Sequence, residues 1–121
     1  MIEFSLDEQS GILHVHPLDP LTEEDFKELA ATVDPYIIRS GALKGLILEV
    51  PKFPGWESIS AALSHFRFVR DHHRKVQRVA VVTDSMLAEL AEHLARHFIA
   101  AEIRQFKTTD PEAARDWVKE A

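Results

Sequence analysis

Two short runs constrain this chain more than any other feature. "LKGLILEV", Leu43 to Val50, and "VQRVAVVTD", Val76 to Asp84, place apolar residues at consecutive positions instead of every second one. Strands of that kind are covered on both faces, as central strands of a parallel sheet are. Between them Ile59, Ala62, Leu63, Phe66 and Val69 recur at the spacing of a helix's buried stripe. A strand, a helix and a second strand of these lengths make a right-handed parallel crossover. The expected fold class is therefore α/β.

The flanking segments extend the pattern. Ile2, Phe4 and Leu6 alternate with polar residues, "DEQSG" reads as a turn, and "ILHVHPL" reads as a second strand ending near Pro17. The short connection makes these two an antiparallel hairpin. Thr22 and Asp25 stand at capping-box spacing and open a helix with the stripe Phe26, Leu29, Ala30, Val33 and Ile37. Pro35 falls inside that stripe and predicts a kink or a restart, and Ser40-Gly41 closes the helix. Asp84 or Ser85 caps a further helix carrying Leu87, Leu90, Ala91, Leu94 and Phe98. "AEIRQF" sets Ala101 and Ile103 on one face and Glu102 and Arg104 on the other, the signature of an edge strand. Asp110 caps the last helix, with Pro111 at its first position and Trp117 and Val118 as apolar anchors. The order is ββαβαβαβα. No linker or repeat divides it, so one domain over residues 1–121, built on a mixed sheet with a leading antiparallel hairpin, is expected.

Composition narrows the function. A chain of 121 residues with 45% hydrophobic and 28% charged side chains can bury its own core without staples. It has no cysteine, which removes disulfides, thiolate zinc sites and cysteine nucleophiles. No signal peptide precedes the first strand and no apolar run approaches bilayer length, so a cytoplasmic location without a membrane span is expected. The net charge of −6 argues against nucleic acid as a partner. Cations do cluster in "RFVRDHHRKVQR", Arg67 to Arg78, which reads as the solvated end of a helix before it reads as an anion site.

"EVPKFPGW" after the third strand, "VQRVAVVTDS", "LARHFIAAEIRQF" and the closing "DPEAARDWV", in this element order, resemble the SpoIIAA-like family of small uncharacterised proteins. The resemblance covers essentially the whole chain. It implies a β-α superhelix of the kind shared by STAS domains and by CRAL-TRIO lipid carriers, which hold apolar ligands. Anti-sigma-factor antagonists of the STAS class carry an Asp-Ser-Ser-Gly-like motif at the start of the helix after the third strand, where a serine is phosphorylated. This chain reads Trp56-Glu57-Ser58-Ile59-Ser60-Ala61 instead. Ser58 and Ser60 therefore read first as helix caps and only second as phosphorylation sites, although a phosphate is favoured at a helix N-terminus.

Catalytic signatures are scarce. The glycines at 11, 41, 45 and 55 are scattered, which rules out a dinucleotide fingerprint or a P-loop, and no Gly-x-Ser-x-Gly elbow exists. Seven histidines invite a test for metal. Glu89, His93 and His97 recur every fourth residue, too far apart along a helix for all three to converge on one ion. His72 and His73 belong with the basic helix end. His14 and His16 share one face of the second strand and are able to chelate, but the sequence identifies no third ligand. No metal and no cofactor are expected.

The remaining anomaly is "VPKFPGWESISAAL", Val50 to Leu63, which sets Phe53 and Trp56 on a proline-stiffened loop. In open α/β sheets ligands bind outside the carboxyl ends of the strands, where this loop and Asp84 both fall. The following helix carries a second stripe, Ala61, His65, Phe68 and His72, beyond the one its core requires. Phe53, Trp56, His65, Phe68 and Asp84 are therefore the candidate binding residues, and convergent acids and bases are too few to favour catalysis. The expected function is a noncatalytic, regulatory STAS-like module that binds a protein partner or a small apolar ligand. Two alternatives are an enzyme using His65 or Asp84 in the same cleft, and a structural homodimer burying Trp56 and Phe68.

Overall fold

A computed structural model describes residues 2–49, 76–83 and 102–120 of the chain. Five strands, β1 (Ile2–Asp7), β2 (Ile12–Pro17), β3 (Leu43–Glu49), β4 (Val76–Val82) and β5 (Glu102–Phe106), form one sheet in chain order. β1 pairs antiparallel with β2, and every later pairing is parallel. The mixed α/β architecture with a leading hairpin is therefore the one the residue pattern calls for. The helices expected around 59–69 and 87–98 lie outside the described residues.

The hairpin turns on Gly11, whose φ of 71° is costly for a side-chain-bearing residue. Its amide donates to the Asp7 carbonyl at 2.7 Å, while the Asp7 carboxylate accepts from the Gln9 amide at 3.0 Å. Such an Asx turn satisfies the polar groups of a connection that has no ladder partner.

α1 (Glu23–Ser40) crosses from β2 to β3. Its N-terminus is a full capping box: the Asp25 amide donates to Thr22 Oγ1 at 3.2 Å, and the Thr22 amide donates to Asp25 Oδ2 at 2.9 Å. Leu29 and Val33 are buried against Leu13, Val15, Leu46, Val79 and Val81, with Ile2, Phe4 and Ile37 at the margin, and Phe26 is buried as well. Of the kink or restart expected at Pro35, the restart does not occur: α1 runs through Pro35 as one helix. Proline removes a single backbone donor there, and the carbonyl four residues earlier belongs to exposed Ala31, where water can replace it. Gly41, at φ 88°, ends the helix by donating to the Ile37 carbonyl at 2.7 Å.

α2 (Pro111–Lys119) covers the opposite face of the sheet. Asp110 caps it, Pro111 starts it, and Ala114 and Val118 are fully buried on Ile12, Ile47, Ala80, Val82 and Phe106. Its contacts fall on β3, β4 and β5. The sheet thus has two cores, one beneath α1 and one beneath α2.

Candidate functional site

The strand register sorts the α2 face into rows. Glu3 pairs with His16 and Ser5 with His14 across the hairpin, and His14 pairs with Ile47 across β2 and β3. Continuing the parallel register one step past Val15 and Leu48 sets His16 beside Glu49, which in turn pairs with Val82 and, through it, Phe106. Each row therefore changes from polar to apolar as it passes from β2 to β4. The apolar end lies under α2, and the polar end forms an open concavity of about 470 Å³.

β1 borders that concavity from Ile2 to Ser5, with the Ile2 and Phe4 side chains turned to the α1 core, and Glu3, Ser5, His14, His16 and Glu49 supply its polar groups. Glu49 Oε2 lies 3.4 Å from His14 Nε2 and 3.2 Å from His16 Nδ1. The three side chains are 30–33% exposed, so they are reachable from solvent yet partly shielded by the sheet. One carboxylate oxygen touching two imidazoles can accept a hydrogen bond from each ring and orient both.

Glu49 is also the last residue of β3, and Phe53 and Trp56 follow it closely in the sequence. The cluster therefore stands at the root of the segment that the sequence singles out, at the carboxyl ends of β2 and β3. Phe53, Trp56, Ser58, Ser60, His65, Phe68 and Asp84 themselves lie outside the described residues, as do Glu89, His93 and His97. The approach to Asp84 is described: the buried Thr83 amide donates to the Phe106 carbonyl at 3.0 Å, and Gln105 Nε2 donates to the Thr83 carbonyl at 2.9 Å. Those bonds tie the carboxyl ends of β4 and β5 together.

Sequence reasoning paired His14 with His16 but missed Glu49. The signal lay in the register: aligning "ILHVH" with "GLILE" puts histidine beside glutamate at the ends of two parallel strands. Arg78, the last cation of the basic run, turns out to be occupied. Its guanidinium lies 4.8 Å from the Trp117 ring centroid and donates to the Trp117 carbonyl at 2.6 Å, with Glu102 and Glu120 carboxylates at 3.6 and 3.9 Å. It closes the C-terminal end of α2, where a cation suits the helix dipole. No helix among the described residues is long and apolar enough to cross a membrane.

Comparison with known proteins agrees with this architecture. The family model described as SpoIIAA-like matches residues 12–119. No curated protein matches the chain. A solved structure, an uncharacterized protein of the DUF3478 family with a SpoIIAA-like fold from Shewanella loihica PV-4, superposes with a TM-score of 0.73. That likeness spans 97% of this chain and 93% of the other at 22% identity, and it speaks to fold alone. With the family match extending from β2 through α2, the chain belongs to the SpoIIAA-like family.

Proposed function

We infer that this chain is a noncatalytic binding module, regulatory in kind, which engages a protein partner or a small apolar ligand at the carboxyl ends of its strands. The observation that carries the reading is the open concavity at the end of β2 and β3. It gathers polar side chains of β1, β2 and β3, namely Glu3, Ser5, His14, His16 and Glu49, at the open end of the face whose other end is covered by α2. Its member Glu49 also stands just before the segment bearing Phe53 and Trp56 in the sequence. In this reading Phe53, Trp56, His65, Phe68 and Asp84 contribute to the same recognition surface. Native mass spectrometry of the purified protein tests it: a species heavier than the bare chain, whether a complex or a ligand adduct, is expected. A bare monomer alone counts against it.

One observation favours a second reading, an enzyme. His16 Nδ1 and Glu49 Oε2 are 3.2 Å apart, the separation of an imidazole base and its orienting carboxylate. Hydrolysis of activated ester or phosphoester probes that disappears in His16→Gln supports catalysis. Equal rates in both proteins remove it.

A further inference from the structure

We propose that the outer edge of β1 is a homodimer interface, at which two copies of this chain join their sheets strand to strand about a two-fold axis. This goes beyond the binding module reading, since it concerns the backbone edge of β1 and not the segment bearing Phe53 and Trp56. β1 ends the sheet, and among the described residues only β2 pairs with it. Its other edge presents a row of N–H and C=O groups without a ladder partner there, a template for another strand. Nothing in β1 discourages that use. All six residues pair one to one with β2, so no bulge twists the edge away, and the strand contains neither lysine nor proline. β5, at the opposite edge, is protected in the usual way by the exposed charges of Glu102 and Arg104.

The side chains select both the occupant and the register. Ile2, Phe4 and Leu6 lie on the α1 face and are only half-buried, while Glu3, Ser5 and Asp7 are exposed on the other face. An antiparallel second β1 sets apolar residues against apolar ones only if its α1 face is on the same side. Centring the two-fold axis on Phe4 then puts Phe4 against Phe4, Ile2 against Leu6, and Glu3 against Ser5 of the second copy. The apolar row becomes continuous, and no carboxylate stands directly opposite another. Moving the axis to Glu3 opposes Glu3 to itself, and moving it to Ser5 opposes Glu3 to Asp7, both of which are unfavourable. The pairing also leaves room for α1 in both copies. α1 packs on β1 and β3, which flank β2, and β2 stands about 7 Å from the seam at the usual strand spacing. The two α1 helices then lie about 14 Å apart, more than the diameter of about 10–12 Å that a helix occupies. A two-fold pairing of β1 with β1 closes, whereas β1 added to β5 would run on as an open fibre. On the α2 face, Glu3 and Ser5 border the polar concavity, so the dimer brings its two concavities together across the seam.

The test is sedimentation equilibrium of the full-length protein over a concentration series. A reversible monomer–dimer equilibrium without larger species is expected, with hydrogen exchange at β1 amides slowing as the dimer fills. Ser5→Glu places a carboxylate opposite Glu3 twice in the dimer and should weaken it about 2- to 30-fold, the effect of two like-charge cross-strand pairs. Ser5→Lys should strengthen the dimer by a similar factor. Glu3→Lys combined with Ser5→Glu should recover at least the wild-type affinity, because the two charges again attract across the seam. Both positions are exposed, so the monomer should stay folded in every variant, which circular dichroism checks. Trp56→Ala should leave the dimer unchanged, which separates this interface from one burying Trp56 and Phe68. A monomer at every concentration, open-ended polymers, a dimer indifferent to Ser5→Glu, or one lost in Trp56→Ala would overturn the proposal.

Discussion

Gly45 on β3 lies directly beneath Val118 of α2, so closely that a Cβ placed on Gly45 would collide with the valine side chain. Val118 is fully buried, and the approach lets α2 sit down on Ile47, Ala80 and Val82. Gly45→Ala should therefore destabilise the fold by about 1–3 kcal/mol through overpacking. Urea denaturation checks this. Adding Val118→Ala to the same chain should recover part of the loss, because the two changes share one space. Full additivity would contradict the close approach.

Arg78 and Trp117 make a second such pairing. The guanidinium stacks on the indole and donates to the backbone beneath it, with the arginine side chain only 19% exposed. Lysine keeps the charge but loses the flat face and the fork of donors. Arg78→Lys should cost about 1–2 kcal/mol in unfolding free energy, the range of a partly desolvated cation–π contact. A change indistinguishable from zero would mean that the stack is incidental.

Thr22 and Asp25 hold the start of α1 reciprocally. Replacing Thr22 by alanine removes one half of that box and should cost about 1 kcal/mol. Thr22→Ser keeps the acceptor oxygen and should restore most of it in the same denaturation experiment.

The contacts among His14, His16 and Glu49 are partly solvated, and such ion pairs contribute little to folding. Glu49→Gln should change the unfolding free energy at neutral pH by less than about 1 kcal/mol. A loss of several kcal/mol would mark the cluster as part of the scaffold and would argue against its use as a site.

How far the residues alone disclose this molecule depends on the range over which each signal acts. β3 and β4 were legible from runs such as Leu46-Ile47-Leu48, and the Thr22 and Asp110 caps from local spacing, because each signal resides in a few neighbouring residues. Pro35 does not restart the helix for a related reason: local propensity cannot register that Ala31 is exposed and that Ile37 still packs on the core beyond the proline. The candidate site was half legible. The His14–His16 spacing is local, whereas the partnership with Glu49 depends on a parallel register between strands separated by all of α1. The close approach at Gly45 was likewise beyond reach, since Val118 comes from the far end of the chain.

The central proposal is that the segment bearing Phe53 and Trp56 binds rather than merely covers its own core. Trp56→Ala tests it most directly, by the fraction of chain carrying a retained species in native mass spectra, recorded beside the wild type at equal concentration. We predict at least a tenfold drop in that fraction, equivalent to about 1.4 kcal/mol of binding. The contradicting result is an unchanged retained fraction together with a stability loss of about 3–5 kcal/mol, the signature of a core tryptophan.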